Sequence, residues 1–396
     1  MRVSAFALLA LHAAHTAALE VRFQPADVVY VWENVGEGTP KDLYTAVVQN
    51  IALLNEAAEG GGPVTLERVR IDVEKSGDVV GSQLVDAEAL TKAAQTFAAY
   101  AQAGVLAAYD FQFQTSRYLA GVGFPAGLTL APGEAIVLQR RAFLFTGLPD
   151  ALVVTVEGRD ESGAPVSASG RLAVVDHHSP NEYSFPVRGT WIAGAAPSLH
   201  SHHRWGAIQE FALDLVQIGE GGITHTGDGS RLDQYYAYGQ PVYAVGDGTV
   251  VAAKGDSPES DQSLKQPGES GEAYFQRSMA AQQGLLAQGF AAILGNHVVI
   301  EHPHGEFSMY VHLQPGSVSV APGDEVRRGQ LIGRLGHSGN STEPHLHFHV
   351  TDGPDLSHSR SLPVEFSDIA LWPADDGSVR HLHSGQILVA GAGTVR

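Results

Sequence analysis

The sequence predicts a mainly β chain. Short runs rich in Val, Ile, Thr and Tyr recur along its length, Gly- and Pro-containing turns separate them, and helical periodicity is confined to three stretches. At 396 residues, 44% hydrophobic and 17% charged, the chain has room for two globular domains, each with its own core, and is not a disordered polymer.

Taken in order, Arg2 followed by the apolar run Val3 to Ala10, Leu11 and Ala14, and then by the small residues of His15-Thr16-Ala17-Ala18, has the form of a secretory signal. Residues 1–18 are therefore expected to be removed, with cleavage after Ala18. Residues 19–182 are expected to form an N-terminal α+β, β-sandwich-like region. Its Asp27 to Trp32 run is β-rich, Lys41 to Ala58 has an apolar period that looks helical and stops at Gly60-Gly61-Gly62, and Val64 to Val73 alternates as a strand. Asp86 to Gln102 is Ala-rich and helical, and Asp160-Glu161-Ser162-Gly163 turns one strand, Leu152 to Val156, into another, Val166 to Val175. His177-His178 reads as an exposed linker pair.

Residues 183–372 change texture, to short strands parted by Gly turns: Tyr238 to Val245, Gly248 to Ala252, Asn296 to Ile300, Phe307 to His312 and Gln330 to Leu335. This is an antiparallel β-rich domain. A polar insertion, about 258–289, interrupts it and carries a surface helix at Glu272 to Gln288. Residues 373–396 form a tail, with a hairpin-like turn at Asp375-Asp376-Gly377. No later stretch approaches the ~20 apolar residues needed to cross a bilayer, so the mature protein is expected to be exported, periplasmic or extracellular, with no transmembrane segment.

Composition narrows the chemistry. With 24 Lys+Arg against 43 Asp+Glu, the net charge is −19, the wrong sign for neutralising phosphates, so nucleic acid is not an expected partner. The absence of cysteine removes thiol nucleophiles and Cys-based metal sites. A metal site must use imidazole and carboxylate, and the chain has 19 histidines. Five His-x-His pairs occur, at 200/202, 302/304, 345/347, 347/349 and 381/383. The pairs 302/304 and 381/383 read as surface histidines. On a strand, residues i and i+2 share a face, so His345 and His347 can converge on one point.

The ordered series Gly239-Gln240-Pro241-Val242-Tyr243-Ala244-Val245, Tyr310-Val311-His312-Leu313, Pro322-Gly323-Asp324, Gly336-x-Ser338-Gly339-Asn340-Ser341 and Pro344-His345-Leu346-His347-Phe348 closely resembles the LytM/lysostaphin-type (M23) zinc metallopeptidases. The resemblance covers about residues 185–372. It implies an M23-like peptidase domain, a zinc cofactor and an exported endopeptidase cutting peptides of bacterial peptidoglycan. By motif, it implies His347 as a zinc ligand, His345 as general base and His312 as its partner. Asp214, in Phe211-Ala212-Leu213-Asp214, is the implied second ligand. The family's His four residues upstream is replaced by Glu210. His203, ahead of Gln209-Glu210-Phe211-Ala212-Leu213-Asp214, is the leading third ligand, as in a subgroup of these proteins. Glu210, His225 with Asp228 or Asp233, and His202 stay open. Asn296 and Tyr310 are implied near the cleft as substrate-binding residues, and His337 beside them, while His349 shares the face of His345 and His347. With no His-Glu-x-x-His present, a histidine must serve as base. The alternative reading is a catalytically inactive relative that activates or scaffolds another cell-wall hydrolase. Protein partners are not indicated.

Overall fold

A computed structural model describes residues 19–33, 43–56, 61–372 and 381–391. The expected signal at 1–18 and the turn at 375–377 lie outside the described residues. Among the described residues, no helix is long and apolar enough to cross a membrane.

The chain is mostly strand, organised in two large sheets. In the first, nine strands from Leu19–Gln24 to Pro165–Val175 form one connected sheet. Val28–Glu33 joins its halves, antiparallel to Leu43–Asn55 and parallel to Pro165–Val175. Apolar side chains of both halves, among them Val29, Ile51, Ile71 and Val154, make one core. The expected hairpin forms, with Ala151–Asp160 paired to Pro165–Val175. The expected helix at Ala87–Gln102 forms as well, and its N-cap Asp86 accepts the Ala89 amide at 2.9 Å.

The stretch expected to be helical at 41–58 is instead the strand Leu43–Asn55, paired with both Leu19–Gln24 and Ala135–Thr146. It is buried on both faces over nearly its whole length. A strand covered on both sides shows no polar alternation, so its apolar run imitates a helical one, and the β-branched residues of Thr45-Ala46-Val47-Val48 were the better guide.

In the second sheet, ten strands run in the spatial order Glu325–Val326, Gly248–Lys254, Asn296–Glu301, Phe307–Leu313, Leu346–Thr351, Leu213–Val216, Gly189–Ala195, Ile387–Ala390 and Ile369–Trp372, with Ser361–Leu362 added beside Leu346–Thr351. The sheet therefore continues past residue 372, where the sequence reading began a tail. Ile387–Ala390 sits between two of its strands because its apolar residues complete that edge. The insertion carries the helix Gly271–Leu286, capped by Ser270.

Register decides what each face of this sheet presents. Tyr310 lies opposite Phe348, and Phe348 opposite Leu213; with Leu215, Leu346 and Val298 they form the main core. The next residues along each strand point the other way, so that Asp214 and Val311 both lie opposite His347, and Met309 opposite His349. The polar cluster thus stands on the face away from the main core.

Candidate metal centre

Asp214 is the hub of the cluster. Its Oδ2 is 2.8 Å from His203 Nε2, and its Oδ1 is 2.9 Å from His347 Nδ1 and 3.5 Å from His345 Nε2. Burial opposes ionisation of this carboxyl, but the His203 and His345 rings, with hydrogen bonds from His203 and His347, outweigh it and hold Asp214 well below the usual carboxylate range. It is an anion among imidazoles at neutral pH.

His203 reaches Asp214 from the short 3-10 turn His203–Trp205, not from the Asp214 strand. Its Nδ1 is buried without a hydrogen-bond partner. The donor atoms of His202, His203 and Asp214 lie within 4.8 Å of one another, and the His202 and His203 rings are 3.9 Å apart. The His347 ring lies beside this group, its centroid 4.8 Å from that of His203. A set of imidazole nitrogens around one ionised carboxylate is the donor chemistry that zinc takes.

The other two alternatives for the third ligand lie elsewhere. Glu210 is fully buried and committed to Arg204, whose Nη1 donates to Oε1 at 2.6 Å. Arg204 also donates to the Thr45 carbonyl of the first sheet at 2.9 Å, so this ion pair docks the two sheets together. Asp228 and Asp233 hydrogen-bond only within their own exposed loop, to Ser230 and Arg231, and His225 lines a separate cavity with Lys265 and Glu343.

His312 and His345 flank the cluster, with ring centroids 4.8 Å apart. Simple alternation from Phe307 to Leu313 would put His312 on the core face with Tyr310. Instead the backbone at His312 is left-handed, at φ 65°, and the pairing to Asn296–Glu301 shifts register there. This bulge turns the imidazole to the face of the Asp214 cluster and returns Leu313 to the core. His345 Nδ1 lies 2.7 Å from the Glu343 carbonyl, and His312 Nδ1 2.8 Å from the Ser338 carbonyl. A carbonyl only accepts, so in both rings Nδ1 carries a proton and Nε2 is the nitrogen turned towards the cluster. Burial, then the neighbouring His345 and His347, push His312 well below the usual imidazole range.

His349 stands behind the cluster, its Nδ1 3.1 Å from His347 Nε2. His347 is thereby held from both ring nitrogens, by Asp214 in front and His349 behind, an arrangement that fixes a ligand's orientation.

Two residues expected to meet substrate do not face the cleft. Tyr310 is buried in the main core, its hydroxyl accepting the Val245 amide at 2.8 Å and a bond from Ser308; strand alternation put it there. Asn296 is also fully buried. Its Oδ1 accepts the Ser257 amide and its Nδ2 donates to the Ser257 and Leu313 carbonyls, so the carboxamide staples the base of the insertion to the sheet. Both ring nitrogens of His337 are occupied as well, by Ser341 Oγ at 2.8 Å and Ser263 Oγ at 2.7 Å. Nor are His302 and His381 surface residues: His302 is buried against the Asp247 carbonyl and Ser308, and His381 stacks on Trp32 at 4.0 Å.

The cluster opens into a cleft of about 410 Å³ lined by His202, His203, Asp214, His312, His345 and His347. Its outer walls come from two distant segments: Phe111 and Arg140 of the N-terminal region, and Gln282 and Phe290 at the insertion. Phe111 and Phe290 meet with ring centroids 4.6 Å apart. No motif marked these wall residues, because they become neighbours only through the packing of the two sheets.

Residues 276–358 match the family model of peptidase family M23. This region includes His312, His345 and His347; Asp214 and His203 lie outside it and join the cluster through strand pairing and the 3-10 turn. Among curated proteins, the chain is similar to the peptidoglycan DD-endopeptidase ShyA of Vibrio cholerae, 43% identical over 56 residues covering 14% of this chain and 13% of that protein. It is also similar to the DD-carboxypeptidase/endopeptidase Mpg of Neisseria meningitidis, 46% identical over 54 residues, 14% of this chain and 12% of that protein. The matches to these two relatives span about an eighth of their length. Among solved structures, the catalytic domain of the antimicrobial peptidase lysostaphin from Staphylococcus simulans aligns at 19% identity and TM-score 0.24, covering 44% of this chain and 88% of that one. The matched region is thus of the M23 peptidase family, within a chain made mainly of β-sheet.

Proposed function

We propose that this chain is an exported zinc metalloendopeptidase that hydrolyses peptide bonds in the cross-links or stem peptides of bacterial peptidoglycan. One observation carries the reading: Asp214 lies between His203 and His347, and beside them His345 and His312, each held by a carbonyl at Nδ1, line the same cleft. His203, Asp214 and His347 are the proposed zinc ligands, with His202 at hand beside His203. When bound, zinc would supply Lewis acidity, polarising a scissile carbonyl and acidifying water.

The proposed division of labour follows from the tautomers. His345, held by Glu343 through Nδ1–H, takes a proton from the attacking water at Nε2 and returns it to the leaving amine. His312, whose burial disfavours the charged form, acts beside it as a neutral imidazole that positions the water. Asp214 stays ionised throughout and keeps the surrounding imidazoles oriented.

The substrate class rests on the DD-endopeptidase named among the relatives and on the export signal expected from the sequence. The test is direct: zinc-loaded protein incubated with purified peptidoglycan sacculi should release soluble fragments with new amino termini, and a chelator should abolish this. The commitment of Glu210 to Arg204, at the position where the family carries a ligand, favours a second reading, an inactive relative that activates another wall hydrolase. Zinc bound at one equivalent with no hydrolysis of sacculi or synthetic peptides would select that reading.

A further inference from the structure

Among the described residues, the cleft lining contains a single Lys or Arg, and that residue is Arg140. It is exposed, and among the described residues it has no ion-pair or hydrogen-bond partner. In a chain of net charge −19, an unpaired guanidinium at the mouth of a buried His/Asp cluster is the one fixed positive charge a substrate meets there. Asp214, the only carboxylate in the same lining, is already engaged by His203 and His347.

The backbone at Arg140 is also unusual. It lies inside the strand Ala135–Thr146, yet its φ is +51°, a conformation that strains a non-glycine residue. The flanking Gln139 and Arg141 keep their register opposite Asn50 and Val48, so the departure is confined to Arg140 and re-aims that side chain alone. The partner strand Leu43–Asn55 is in turn tied to the loop that carries His203. Gln49 Nε2 donates to the Arg204 carbonyl at 3.1 Å, and Arg204 donates to the Thr45 carbonyl at 2.9 Å. Arg140 is therefore held on a rigid path of strand pairing and buried hydrogen bonds that leads to the residue next to His203.

We propose that Arg140 is a specificity-determining residue: it binds a carboxylate of the peptide substrate and sets which bond lies over the His345/His347 cluster. The guanidinium offers a planar, two-pronged donor that matches a carboxylate, and stem peptides of the proposed substrate class carry such groups. This proposal rests on the peptidase reading above and adds the N-terminal region to it, as the part of the chain that reads the substrate.

The test uses the zinc-loaded full chain and three synthetic peptides of one sequence. The first has a free C-terminal α-carboxylate, the second a side-chain carboxylate with a C-terminal carboxamide, and the third neither. Binding is measured by titration and hydrolysis by amine release. The expected result is that at least one carboxylate peptide binds about tenfold tighter than the third, and the preferred one tells the α-carboxylate from the side-chain source. Arg140→Gln should collapse that ratio to about one, and Arg140→Lys should keep part of it. Equal weakening of all three peptides in R140Q, or an unchanged ratio, would overturn the assignment. Selective binding that R140Q abolishes, without any hydrolysis, would overturn the peptidase reading and leave the carboxylate site standing.

Discussion

Asp214 and His347 stand directly opposite each other on adjacent antiparallel strands, with Asp214 Oδ1 2.9 Å from His347 Nδ1. Two proposed ligands that share a rung of a sheet have their separation set by strand spacing, and only the proposed third must be brought in from a loop. Here a 3-10 turn brings His203 to Asp214, while the position four residues before Asp214, in the turn ahead of its strand, is taken up by the Arg204–Glu210 pair.

The ligand assignment predicts unequal effects from adjacent histidines. His203→Ala and His347→Ala should each weaken zinc binding by at least about a hundredfold, as loss of a direct ligand should exceed the 10- to 100-fold typical of outer-shell partners. His202→Ala should cost less than about tenfold. Competition with a calibrated chelator measures all three. A larger loss in H202A than in H203A would move the third ligand to His202.

His345→Ala should separate metal from chemistry. Its ring nitrogen Nδ1 is spent on the Glu343 carbonyl, and removing the base at Nε2 should lower kcat by about 10²–10⁴ while zinc stoichiometry stays at one. Parallel loss of bound zinc and activity would make His345 a ligand instead. Metal content and amine release on the same preparation decide the matter.

The parts of this arrangement that were legible in the sequence are those fixed by local spacing. His345-Leu346-His347 announces two imidazoles on one strand face, Asp86 announces a helix start, and Asp160 to Gly163 a hairpin; each depends on neighbours a few residues away. What failed depends on partners far along the chain. Leu43–Asn55 imitated a helix because both its faces are covered. Tyr310 and His312, two residues apart, were expected to share a cleft, and only the left-handed backbone at His312 separates them. Arg140 lies 63 residues before His203 in sequence and carries no motif, so nothing short of the packed sheets could place it in the cleft.

Glu306 should make stability pH-dependent at low pH. Burial works against its charge, but hydrogen bonds from His177, Ser179, Asn181 and Tyr183 prevail and bring its carboxyl down to about 2. The folded value is depressed, so the stabilisation is present above the unfolded value near 4.5 and fades as pH falls through about 2. Glu306→Gln should therefore be less stable than the parent at pH 7, by on the order of 1–2 kcal/mol after allowance for solvent screening. The gap should close between about pH 4.5 and 2. Urea titrations across that range give the test, and a constant gap would remove ionisation of Glu306 as the cause.

The Arg204–Glu210 pair should matter to domain docking and not to zinc. Both side chains are fully buried, and Arg204 also lies 4.8 Å from the Phe211 ring while its other contact reaches Thr45 across the interface. Removing one partner strands a charge in a dry site, so Glu210→Ala should cost about 3–5 kcal/mol. The double replacement Arg204→Met with Glu210→Leu removes both charges of the pair and should recover part of that loss, although the bond to Thr45 goes with it and the buried Arg360 loses the opposite charge of Glu210. Zinc affinity in the double variant should change by less than about tenfold, because neither group touches Asp214. If Glu210 instead entered the metal site, the double variant would lose zinc as fully as H347A, a difference that chelator competition and thermal melts on the same samples would expose.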